Sequence, residues 1–131
     1  MAHPFHHAES SARRFGGTAA DYQAVHDWFD ETKAHYANWR HRALRHHSQG
    51  IFEAQERFGT TIRNSDGRDI PVRLIAEQHV KEDLGRIPSV QDWLSHIGRV
   101  DVPRWMTRGV DLSVVDPGEH PTPDSMPPKV E

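Results

Sequence analysis

Apolar positions recur at helical spacing through the first third of the chain. Phe5, Ala8, Ala12 and Phe15 predict a short helix over residues 4–15, ended by Gly16-Gly17. Thr18 with Asp21 three residues later is a capping-box pattern that starts a second helix. In that helix Tyr22, Val25, Phe29, Tyr36, Trp39 and Ala43 share an arc of about 100°, so it is expected to run at least to His47. Ser48-Gln49-Gly50 predicts a break, followed by a third helix from Ile51 to Phe58 with Gly59 as its stop. The alternative is one uninterrupted helix through Gly50, at a cost of about 1 kcal/mol.

The period changes after Gly59. Thr60-Thr61-Ile62 and the alternating Ile70, Val72 and Leu74 predict two strands joined by the turn Asn64-Ser65-Asp66-Gly67. Pro71 places the second strand at an edge, and a hairpin of this size, near residues 60–75, must pack on helices to persist. Glu77 to Leu84 reads as a short helix closed by Gly85. Ser89 with Asp92 opens another, through Trp93 and Leu94 to Gly98. Beyond Asp101 the pattern is irregular. From Asp116 onward five of the last sixteen residues are proline, which predicts an extended tail. The expected architecture is mainly α: a small helical bundle over residues 1–100 with one short β-hairpin, then an extended Pro-rich C-terminal tail over 101–131.

Composition narrows the chemistry. A chain of 131 residues that is 35% hydrophobic, with a mean hydropathy of −0.79, supports one domain with a modest core. The formal charge of −3 gives no strong pull toward nucleic acid or an anionic membrane. No apolar run approaches the roughly 20 residues that span a bilayer, and the N-terminus has no secretory pattern. The expected address is the cytoplasm. Cysteine is absent, which excludes disulfides, thiolate metal sites and cysteine nucleophiles. A metal would have to be held by imidazole and carboxylate.

Eleven histidines supply the imidazole, at 3, 6, 7, 26, 35, 41, 46, 47, 79, 96 and 120. Three pairs stand at i, i+4: His3 with His7, His26 with Asp30, and His79 with Asp83. That spacing puts two ligands on one helix face. The Gly16-Gly17 turn should fold the first helix back on the second, setting His7 beside Asp27 and His3 beside Glu31. His3 and His7 would then face His26 and Asp30 across one groove, with His79 or Asp83 completing a site for Zn, Mn, Fe or Ni.

A straight second helix would separate His26 from His47 by about 31 Å at 1.5 Å per residue. His46 and His47 therefore belong to a second candidate cluster, with His35 and Glu53 on one stripe and His47 nearer the apolar arc. His47 is carried as a candidate metal ligand. Arg42 and Arg45, in the run from Arg40 to His47, are candidate anion binders. His96 and His120 read as surface residues.

No Ser-hydrolase elbow, phosphate-binding loop or dinucleotide fingerprint is present. What fits is metal-assisted chemistry, with hydrolysis of phosphate esters or nucleotides as the enzymatic form. The His26-Asp27 doublet resembles that of the HD-type metal phosphohydrolases, with His7 upstream and Asp83 downstream as fillers, but the match covers only the doublet. HPFHHAESSARRFGG, HDWFDETKAH, RHRALRHHSQGIF, NSDGR and EQHVKEDLGRIPSVQDWL together resemble a family of small His-rich bacterial and phage proteins known only as a domain of unknown function. The resemblance runs from His3 to about Leu94 and implies no activity. The alternative expectation is a non-catalytic, phage- or host-related interaction or regulatory module. There the His and Arg residues would be structural and the chain a homo-oligomer. A small anionic ligand is compatible with either.

Overall fold

Pro4 sits at the first position of the first helix, where its missing N–H and fixed φ fit. His3 caps it, its Nδ1 accepting from the Phe5 amide at 3.1 Å. In the computed structural model, which describes residues 3–36, 38–97, 102–111 and 113, this helix (α1) spans Pro4–Phe15. Gly16 and Gly17 end it with φ of 85° and 75°, a left-handed region that favours glycine. A short 3-10 turn at Ala19–Asp21 leads into α2, Gln23–Asp30. The Thr18 amide donates to Asp21 Oδ2 at 2.8 Å, as the capping pattern predicts.

The long second helix does not form. After Asp30 the chain tightens into a 3-10 turn, Glu31–Ala34. A second 3-10 turn, Trp39–His41, is capped by Asn38, which accepts from the Arg40 amide at 2.8 Å. It runs into a single turn of α-helix, α3, Arg42–Arg45. Thr32 is buried, its hydroxyl 2.9 Å from His41 Nδ1, and this contact draws the chain back on itself. Arg45 holds the reversal shut. Its guanidinium lies 4.1 Å from the Trp28 ring centroid, donates to the Trp28 carbonyl and pairs with Glu31 at 3.1 Å. His47 then caps α4, Ser48–Phe58, its Nδ1 accepting from the Gly50 amide at 2.9 Å. The break expected at Ser48-Gln49-Gly50 falls two residues earlier, at His46-His47.

The hairpin is shorter than the alternation suggests. Strands β1, Thr61–Arg63, and β2, Asp69–Pro71, pair antiparallel with Ile62 opposite Ile70. Asn64 organises the turn: its Oδ1 accepts from the Asp66 and Arg68 amides, and its Nδ2 donates to the Phe15 carbonyl and to Tyr22 Oη. Val72 and Leu74, expected in the strand, instead open α5, Val72–Leu84. Pro71 stands at its N-cap with φ −61°. The helix expected over Glu77–Leu84 is thus longer, and Gly85 ends it with φ 74°.

The chain divides into two compact units, Met1–Val90 and Gln91–Glu131. In the first, α1, α2, α4 and α5 enclose a core of Ala8, Tyr22, Val25, Trp28, Phe29, Ile51, Ala54, Ile70, Val72, Ile75, Ala76 and Val80. The last helix, α6, spans Val90–Ile97, and a 3-10 turn follows at Arg104–Thr107. The architecture is mainly helical with one two-stranded hairpin. The tail expected from Asp116, with His120, lies outside the described residues.

Candidate metal centre

The interior buries almost as many polar side chains as apolar ones, and His7, His26, His41, His46, His47 and His79 are all among them. Such groups must find partners or carry a desolvation penalty. Most of these histidines converge where α1, α2, α3 and α5 meet.

Four residues form the centre. Asp30 is the last residue of α2, His46 is the C-cap of α3, and His79 and Asp83 stand one turn apart on α5. Each points one donor atom inward, and the four atoms lie within 4.8 Å of one another. His46 Nε2 is 3.2 Å from His79 Nε2. Asp83 Oδ2 is 3.0 Å from the first and 3.3 Å from the second. Asp30 Oδ1 is 3.7 Å from His46 Nε2 and 3.8 Å from His79 Nε2. Bonds of about 2.0–2.1 Å to a tetrahedral ion place its ligands about 3.3–3.4 Å apart, the middle of this range.

Asp30 carries the chemical signature of the site. Its side chain is 6% exposed, and both carboxylate oxygens are buried without a hydrogen-bond donor. Burial alone would raise its pKa, but the facing His79, Lys33 and His46 outweigh it and hold the carboxyl below its usual range. Burial likewise acts to raise Asp83, and bonds from His46, His7 and His79 overcome it, leaving the carboxyl far below its usual range. Both acids are therefore anionic, and two buried negative charges match a divalent cation.

A second layer supports the four. His7 Nδ1 is 2.8 Å from Glu82 Oε1 and its Nε2 is 3.1 Å from Asp83 Oδ1. Carboxylates only accept, so both ring nitrogens donate and His7 is cationic. Burial lowers its pKa, but Asp83 and Glu82 raise it further, for a net increase. This bond occupies Asp83 Oδ1 and leaves Oδ2 facing the centre. His26 lies between Ser11 and His79, with Nε2 2.8 Å from Ser11 Oγ and Nδ1 2.9 Å from His79 Nδ1. Burial, aided by the neighbouring His79 and His7, pushes it down to about 2, so it is neutral. His46 is pushed down to about 4, again chiefly by burial.

The structure brings together His7, His26, Asp30, His79 and Asp83, from three separate helices. Only Asp30, His79 and Asp83 aim at the common point; His7 and His26 stand behind them. His3 and His47 each cap a helix, a ring nitrogen meeting an N–H that the helix start leaves unpaired. Arg45, a candidate anion binder, is engaged by Glu31 and Trp28. Arg42, in the same turn of α3, is half-buried. Asp27 is exposed and accepts from Gln23 at 2.9 Å, so the His26-Asp27 doublet does not act as a unit. A straight helix would put His46 in a separate cluster, and the reversal after Asp30 brings it to the centre instead. Asn38, a capping residue placed before Trp39, is the signal that the helix restarts.

The buried histidines give a pH dependence. His26 and His46 titrate lower in the folded chain than the ordinary value of 6.5. The unfolded chain therefore takes up protons first, and stability falls as pH drops below about 6.5. His7 acts in the opposite sense, its contribution being lost as pH rises through its raised value. Burial lowers His41 and His47 as well, so the lowered groups outweigh the one raised. Between pH 7.5 and 5.5 the metal-free protein should lose on the order of 1 kcal/mol for each of His26 and His46. Urea titrations in chelator at the two pH values measure this, and an unchanged midpoint would contradict it.

The fold and this centre define a small helical domain organised around a buried histidine–carboxylate cluster. The chain belongs to the family described as Domain of unknown function (DUF6915), which matches residues 2–106. No curated protein matches the chain. No solved structure matches it either.

Proposed function

We propose that the protein is a metal-binding domain in which one divalent ion, held by Asp30, His46, His79 and Asp83, ties the end of α2 and the α3 corner to α5. The observation that carries this is the Asp30 carboxylate, buried with no donor on either oxygen and facing two imidazole nitrogens. An unmet buried carboxylate is strongly unfavourable, and a cation at the common point meets both carboxylates at once. Two imidazoles and two carboxylates at tetrahedral spacing suit Zn best among Zn, Mn, Fe and Ni.

The role supported best is structural. Hydrolysis of a phosphate ester needs an open coordination position. Here four side chains are at hand to fill the positions of a four-coordinate ion, and those of His46, His79 and Asp83 are at most 1% exposed. The candidate anion binder Arg45 is engaged elsewhere.

Untagged protein stripped with chelator is expected to take up about one equivalent of Zn, and Co(II) in its place should show the intense visible bands of tetrahedral coordination. At a hundredfold excess over Kd the ion should add about 2.7 kcal/mol of stability, raising Tm by about 10 °C or more for a unit of this size. Calorimetric titration and thermal melts read both. Less than a tenth of an equivalent of any transition metal, with no shift in Tm, would overturn the proposal.

A further inference from the structure

Behind the centre, a chain of buried polar groups runs from His79 to a backbone carbonyl, and that carbonyl fixes the direction of every bond in it. Gln78 Nε2 is 3.1 Å from the His7 carbonyl oxygen and 3.0 Å from Glu82 Oε1. Both of those atoms can only accept, so the amide nitrogen must face them. Gln78 Oε1 therefore faces Ser11, whose hydroxyl donates to it at 2.7 Å. A hydroxyl has one hydrogen. With that hydrogen committed to Gln78, Ser11 Oγ must accept from His26, and the proton of His26 sits on Nε2. The Nδ1 of His26 is then a lone pair, and the atom opposite it, His79 Nδ1, must donate.

We infer that Gln78, Ser11 and His26 form a one-way relay that holds a proton on His79 Nδ1, so that Nε2 is the nitrogen left for a metal among Asp30, His46 and Asp83. Its use to a metal rests on the site proposed above; the tautomer itself does not. Free histidine prefers the opposite tautomer, in which Nε2 carries the hydrogen and cannot ligate. The relay makes that form unavailable, because it would set two bare Nδ1 atoms 2.9 Å apart. Partners of this kind, hydrogen-bonded to the far nitrogen of a ligating histidine, commonly change metal affinity by 10–100-fold. Here the partner is a neutral imidazole rather than a carboxylate. It orients His79 without adding charge to a centre that already holds two anions. His26, Ser11 and Gln78 are positioning residues.

Long-range proton–nitrogen NMR of the ion-free protein at pH 7.5 reads the tautomers directly. His79 is expected to carry a proton on Nδ1, and His26 on Nε2 alone. Ser11→Ala should leave the fold intact, judged by its amide spectrum, while His26 and His79 become tautomer mixtures and Zn affinity falls 10–100-fold. His26→Gln, which keeps one acceptor and one donor, should retain more of that affinity than His26→Phe, which keeps neither. His79 found with a bare Nδ1 would overturn the relay. So would unchanged tautomers and affinity in a folded Ser11→Ala protein. The expected tautomers in a wild-type protein that takes up no metal would uphold the relay and overturn the metal site.

Discussion

Asp83→Ala is expected to abolish metal uptake and to destabilise the ion-free fold by about 3–5 kcal/mol, the range for removing one partner of a buried ionic network. Asp83 joins both layers of the centre. Oδ1 accepts from the cationic His7, and Oδ2 faces His46 and His79. Its side chain is 1% exposed, so water cannot replace it. Without it the only carboxylate left to His7 is Glu82, which is 35% exposed and so open to water. Asp83→Asn separates the two effects. An amide fills the same volume, can accept from His7 through its oxygen and can donate to a bare imidazole nitrogen. The ion-free protein should therefore lose much less stability than with alanine. As a ligand the amide is uncharged and weak, so the gain in Tm on adding Zn should disappear. Chemical denaturation with and without Zn measures all four values. A Zn-dependent rise in Tm that survives in Asp83→Asn would remove Asp83 from the ligand set.

How much of this was legible in the sequence depended on how local each signal was. The limits of α1 were readable because Pro4, the 3.6-residue spacing and Gly16-Gly17 all act within a few residues. The pairing of His79 with Asp83 was readable for the same reason, whereas His26, one turn before Asp30, bonds Ser11 and His79. The convergence of Asp30 with His46 was not, because it depends on the reversal between Glu31 and His41. That reversal rests on tertiary contacts: Thr32 with His41, and Arg45 with Trp28 and Glu31. The apolar arc through Tyr36, Trp39 and Ala43 fitted one long helix. Yet Tyr36 and Trp39 are exposed, so burial never enforced that pattern. Residues 70–76 fitted two periods at once. Ile70, Val72 and Leu74 alternate like a strand, whereas Val72, Ile75, Ala76, His79 and Val80 follow a helix, and the core contacts favour the helix. His3 and His47 could not be told from ligands by spacing, since a capping nitrogen and a ligating nitrogen are the same atom with different neighbours.

Gly50→Ala is expected to be among the most damaging single substitutions in the first unit, and it tests the corner that delivers His46. By sequence Gly50 marked a helix break. In the structure it lies inside the first turn of α4, with no unusual φ, and the reason for glycine is proximity. A Cβ there would lie 1.7 Å from the Arg45 carbonyl oxygen and 2.6 Å from its carbonyl carbon. Both are backbone atoms, so no side-chain rotation relieves the clash, and α3 must move away from α4. The Gly50 amide also donates to His47 Nδ1, so displacement loosens the cap of α4 as well. On helix propensity alone alanine would stabilise by about 1 kcal/mol, which makes the sign of the result decisive. Overpacking of this kind costs about 1–3 kcal/mol or more, and the corner it disturbs begins at His46. The variant should therefore unfold at lower urea and, where still folded, bind Zn more weakly than Glu53→Ala, an exposed control on the same helix. Stabilisation by Gly50→Ala would mean that the approach of α3 to α4 at Arg45 is wrong, and with it the route by which His46 reaches Asp83.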